Sequence, residues 1–170
     1  MQMLEQDDIE VVADAETTGA ETASLGGKYL TFALAREEFG LEILQVREII
    51  RVLDITRVPQ TADFLRGVIN LRGKVIPVID LRCRFGLPKT DQTDETCIIV
   101  VDTGAQKLTG IIVDAVREVY DIQEENIEPP PEFGSTVDST FLLGMGKVGD
   151  AIKILLDIRA VLEGEPFVRA

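Results

Sequence analysis

Three observations make this an all-β chain built as two small β-barrels. Its apolar runs are of strand length, rich in valine and isoleucine, and broken by tight turns. Helical spacing is confined to brief segments, each closed by glycine or proline. The chain also repeats itself at constant offsets. Gly67, Val75, Asp80, Leu81 and Arg82 recur 77 residues later as Gly144, Ile152, Asp157, Ile158 and Arg159, and GLEILQVREI from Gly40 recurs 70 residues later as GIIVDAVREV from Gly110. Self-similarity of this kind indicates two imperfect copies of one β-rich unit, the second carrying a seven-residue insertion.

Residues 1–27 hold seven acids and no lysine or arginine and have no sustained apolar period, which predicts a disordered tail. Tyr29 to Ala35 and Phe39 to Leu44 read as strands around the charged turn Arg36-Glu37-Glu38. Val46 to Ile50 spaces its apolar residues as a short helical turn would. Ile55 to Val58 reads as a short strand ending at Pro59, with Thr61 placed to cap a brief turn. Val68 to Leu71 and Val75 to Ile79 form a hairpin through Arg72-Gly73-Lys74, and Pro77, which has no N–H, predicts an edge strand or a bulge. Asp80 is placed to cap a helical turn over Leu81 to Phe85, stopped by Gly86 and Pro88.

The polar stretch 87–96 separates the copies and reads as the linker, so the first barrel is expected at about 29–86 and the second at about 97–162, with 163–170 as a tail. In the second copy, Cys97 to Val101 and Leu108 to Val113 pair through Asp102-Thr103-Gly104, and Glu128-Pro129-Pro130-Pro131 is a stiff extended segment. Leu142 to Met145 and Ile152 to Leu156 are strands, and Asp157 caps a final turn.

Composition excludes much. The chain has 170 residues, 45% of them hydrophobic, enough for a real core, and its net charge is −13. Outside the acidic tail, 23 acids face 17 bases without a basic stripe, which disfavours nucleic acid and anionic membrane as partners and leaves protein. No apolar run approaches the about 20 residues of a membrane span and no signal peptide is visible, so a soluble, cytoplasmic protein without membrane insertion is expected. Cys83 and Cys97 read as small buried hydrophobes. With no histidine, serine or cysteine nucleophiles of the histidine-activated kind are excluded, as are most zinc sites; no metal and no cofactor is expected. One motif looks catalytic: Asp102-Thr103-Gly104 after an apolar strand is similar to the loop of retroviral-type aspartic proteases. Its plainer reading is a hairpin turn.

Arg72 is either a solvated turn residue or a positioned guanidinium. Glu48 and Glu118 occupy equivalent places in the two copies, and one such carboxylate could pair with Arg72 in a fork. Val46 and Val119 lie in the same two segments and are as residue types more often core than surface.

FGLEILQVREII, ITRVP and FLRGVINLRGKVIPVIDLRCRFGLP, with IEPPPEF and FLLGMGKV further on, resemble the CheW family of chemotaxis coupling proteins over about residues 28–162. The pattern departs at Thr61-Ala62, where a proline is common. The resemblance implies two five-stranded, Src-homology-3-like barrels packed together and a non-enzymatic adaptor joining the histidine kinase CheA to methyl-accepting chemotaxis receptors at membrane-associated arrays. It further implies a receptor-facing groove between the barrels containing Val46, Glu48, Gly67, Arg72 and Val119, and a kinase or array contact at Phe133. Aspartic protease is the enzyme-class alternative. A coupling protein of a non-motility pathway and a regulatory fragment of a kinase are the same-fold alternatives, the latter disfavoured by the start at Met1.

Overall fold

The structure, a computed structural model, describes residues 25–104, 107–130 and 139–163. Phe133, and all but the end of the acidic tail, lie outside the described residues.

Among the described residues eleven strands follow in order: β1 (Gly27–Leu34), β2 (Glu37–Glu42), β3 (Val46–Arg51), β4 (Leu65–Leu71), β5 (Lys74–Asp80), β6 (Cys97–Asp102), β7 (Leu108–Val113), β8 (Ala115–Ile122), β9 (Ile127–Glu128), β10 (Leu142–Val148) and β11 (Ala151–Leu156). Helices α1 (Leu81–Arg84) and α2 (Ile158–Leu162) are single turns. The strands make two sheets, a five-stranded one in the order β3-β6-β7-β5-β4 and a six-stranded one in the order β8-β1-β2-β11-β10-β9. The all-β reading holds, with six strands in one sheet where five were expected.

Each sheet draws on both copies. Strands β3 to β7 form one sheet as a continuous run, while β1 and β2 join β8 to β11 in the other. Each copy therefore places its first hairpin in the sheet completed by the other. The expected linker 87–96 does not pass between the sheets: it runs from β5 to β6 within the five-stranded one. Chain geometry supplies the reason. A single residue, Asp114, separates β7 from β8. Common hairpins need at least about two loop residues, so β8 cannot turn back onto β7 and continues into the other sheet.

Two further local readings change. Val46 to Ile50 is strand, not a helical turn; the helical spacing there comes from a 3-10 turn, Ile43–Gln45, running straight into β3. Ile55 to Val58 is reduced to one bridge, between Thr56 and Val68. Pro77 lies on an interior strand. It is accommodated because the parallel ladder from β5 to β7 begins one residue later, at Val78.

The core has three compartments. Ile69, Ile76, Val78, Ile98, Val100 and Ile112 fill the five-stranded sheet, and Tyr29, Ile122 and Leu155 fill the six-stranded one. Between them lies a shared core from both sheets, including Phe32, Phe39, Val46, Phe85, Ile99, Val101 and Ile158. Strand β6 shows how one sequence serves two compartments: Ile98 and Val100 face inward while Ile99 and Val101 face the shared core, so the run is apolar without alternation.

The duplication is visible in detail. Gly67 and Gly144 both sit at register shifts in their hairpins. A Cβ on Gly67 would lie 2.1 Å from the Thr56 carbonyl oxygen, and one on Gly144 would lie 2.7 Å from that of Glu128. Asp80 accepts from the Arg82 N–H at 3.0 Å and Asp157 from the Ala160 N–H at 3.3 Å, each capping its helical turn.

Candidate functional site

The β4–β5 turn presents the most exposed of the expected site residues. Arg72 and Gly73 have φ of 53° and 90°, the left-handed pair of a tight hairpin turn, and the Asn70 side chain accepts from the Gly73 N–H at 2.8 Å. Glycine or asparagine is the usual occupant of the first of these positions, and an arginine there is strained. The guanidinium then forks onto Glu48 of β3, Nη1 to Oε2 at 3.2 Å and Nη2 to Oε1 at 2.5 Å. These hydrogen bonds raise the Arg72 pKa above the ordinary guanidinium value. Because β3 and β4 are the two ends of the five-stranded sheet, the fork spans the open seam between them. The Arg72 side chain is 69% exposed, so the pair adds little to stability and mainly fixes the guanidinium in place.

The other expected residues stand behind this fork. Val46 is buried in the shared core, paired with Val101. Val119 of β8 packs half-buried against the same core from the opposite sheet. Gly67 is buried at φ 146°, where its missing side chain makes room for the Thr56 backbone. The structure thus joins Glu48 to Arg72 directly and Val46 to Val119 through the shared core, and gives Gly67 a framework role. A side chain at Gly67 would collide with the Ile55-Thr56 segment, so Gly67→Asp should cost folding as well as any surface contact.

Asp102 is a turn residue. Its Oδ1 accepts from the Gly104 N–H at 2.9 Å and its Oδ2 from Arg47 at 3.2 Å. The sequence offers no second Asp-Thr-Gly to share a proton with it. Both cysteines are free and half-buried rather than fully buried, and desolvation pushes each thiol pKa up. Among the described residues no cluster of His, Cys, Asp or Glu could hold a metal, and no helix is long and apolar enough to cross a membrane.

Sequence reasoning missed two charged networks that cross between elements. Arg82 forks onto Asp114, and buried Lys153 pairs with Glu38 while lying over the Tyr120 ring. The signal for the first was present: a lone aspartate between two apolar strands needs a partner.

The described residues thus form two interleaved sheets, with an exposed guanidinium held by Glu48 at one sheet's end strands and Asp102 held in a turn. The family model for the CheW-like domain matches residues 28–165. The chain belongs to the CheW-like domain family and is a chemotaxis scaffold rather than an enzyme. It is 40% identical over 142 residues to the chemotaxis protein CheW of Klebsiella aerogenes, covering 84% of this chain and 85% of that one. It is 36% identical to the chemotaxis protein CheW of Bacillus subtilis over 140 residues, 82% and 89% of the two chains. The scaffolding protein TtCheW from Thermoanaerobacter tengcongensis has a similar structure, with TM-score 0.75 and 41% identity over 84% of this chain and 91% of that chain.

Proposed function

We propose that this protein couples methyl-accepting chemotaxis receptors to the histidine kinase CheA in cytoplasmic, membrane-associated arrays. Its receptor contact is the groove in which Arg72 is exposed and Glu48 and Val119 are half-buried, with Val46 and Gly67 supporting that surface from below. The observation that carries this reading is the Arg72 fork. A strained backbone and an exposed guanidinium held by two bonds have no evident benefit to folding, and strain of this kind accumulates where a surface is prepared for a partner. A receptor helix docks by laying an apolar stripe on Val119 while its polar flank meets the fork. Phe133, which follows the proline run, contacts the kinase or a neighbouring scaffold.

Reconstitution with receptor-containing membranes and kinase tests this directly. The wild-type chain should restore receptor control of kinase autophosphorylation. Phe133→Ala should weaken array assembly and leave the receptor contact intact. Absence of binding to either partner by the wild type would refute the reading.

A further inference from the structure

The chain passes between its sheets at two places that are built differently. At the first, the 3-10 turn Ile43–Gln45 leads β2 into β3 and buries Ile43 in the shared core. At the second, Asp114 alone connects β7 to β8. Its carboxylate accepts donors from both sides of the crossing. From α1, which follows β5, Arg82 donates through Nε at 3.0 Å and Nη2 at 2.7 Å. From the β1–β2 turn of the six-stranded sheet, the Ala35 N–H donates at 2.8 Å, at a residue whose φ is 59°. The Asp114 N–H in turn donates to the Ala33 carbonyl at 3.1 Å. Arg82 is held from behind. Its Nη1 donates to the Pro88 carbonyl at 2.6 Å, and its own N–H donates to Asp80, whose other oxygen takes Arg66 at 2.9 Å. The side chains of Arg82 and Asp114 are only 15% and 26% exposed.

We propose that Arg82 and Asp114 are positioning residues that fix the angle between the two sheets, and with it the width of the groove assigned above to the receptor helix. The second half of this inference rests on that receptor reading; the first does not. The shared core is apolar and therefore non-directional, so it opposes separation of the sheets more strongly than a small rotation or slide. A forked guanidinium–carboxylate pair fixes both distance and plane, and a lysine cannot reproduce it. Among the described residues the other crossing carries no such fork: there Arg159 acts on Glu42, the residue before the 3-10 turn, through its charge alone. The residue matching Asp114 at an offset of 70 is Leu44, and Arg159, which matches Arg82 at 77, is exposed.

Residual dipolar couplings of the backbone amides of the full chain, weakly aligned, read the sheet-to-sheet angle without labels at cysteine. In the wild type, both sheets should fit one alignment tensor. In Arg82→Lys and Asp114→Ala each sheet should still fit a tensor of its own, showing that both remain folded, but the two tensors should differ in orientation. Asp114→Asn, which keeps an acceptor for Ala35, should fall between. Affinity for a soluble chemoreceptor cytoplasmic fragment should drop about tenfold in Arg82→Lys and Asp114→Ala. A single shared tensor in these two variants overturns the proposal, whatever the receptor affinity. Divergent tensors with unchanged affinity overturn its link to the groove. A wild-type chain that does not bind the receptor fragment refutes the receptor reading instead, and the tensors still decide the clasp.

Discussion

The β4–β5 and β10–β11 hairpins are one device built twice, and they differ at the turn. Both carry a glycine seated against a neighbouring carbonyl and both lead into an aspartate-capped helical turn. At the left-handed turn position the second copy has Gly149, at φ 61°, where the first has Arg72. Glu118 matches Glu48, yet the second copy has no guanidinium at its turn to meet it. Features shared by the copies therefore belong to the frame, because duplication preserves what folding needs. Of the features present once, the Arg72 fork and the Arg82 clasp are the two we propose to serve the receptor contact and its alignment.

The largest expected effect tests the shared frame. Gly67→Ala places a Cβ on the Thr56 carbonyl at a φ of 146°, unfavourable for any other residue, and should cost about 3 kcal/mol in urea unfolding. Gly144→Ala meets its carbonyl at 2.7 Å with no such φ and should cost roughly 1–2 kcal/mol. Equal and negligible costs would separate the two positions from the frame. The caps come next. Asp80→Ala removes a cap and the partner of Arg66 from a buried site and should cost about 2 kcal/mol, whereas Asp157→Ala removes a cap alone and should cost about 1 kcal/mol. Thermal unfolding of the pair measures the difference, and a larger loss at Asp157 would reverse the ranking.

These paired features were legible in the sequence because each is local: a turn, a glycine at a constant offset, an aspartate before a helical segment. The exchange of hairpins was not. Equivalent strands of two copies have equivalent edges, and only the lone Asp114 between β7 and β8 hints which sheet β8 enters. The site was half legible. Arg72 and Glu48 could be paired by reasoning about a fork, but the burial of Val46 and the carbonyl beneath Gly67 depend on distant strands that no local pattern names.

A smaller effect sharpens the clasp. Burial alone would raise the Asp114 pKa, but the Arg82 hydrogen bonds and the Ala35 N–H outweigh it and hold the carboxyl below its ordinary value. A depressed folded pKa contributes stability that is present above the unfolded value and lost as pH falls through the folded one. Wild-type stability should therefore decline as pH drops below about 4, and Asp114→Asn should flatten that part of the profile. An identical acid limb in both proteins would detach Asp114 from the stability of the crossing.

The central claim, that what the copies share folds the chain and what they do not share binds the partner, is tested most directly by making the first turn like the second. Arg72→Gly removes the fork and relieves the strained backbone together. Measured by thermal unfolding and by receptor control of kinase autophosphorylation in reconstituted membranes, this variant should melt no lower than the wild type and should lose receptor control. A variant that melts clearly lower while keeping full receptor control would contradict the account.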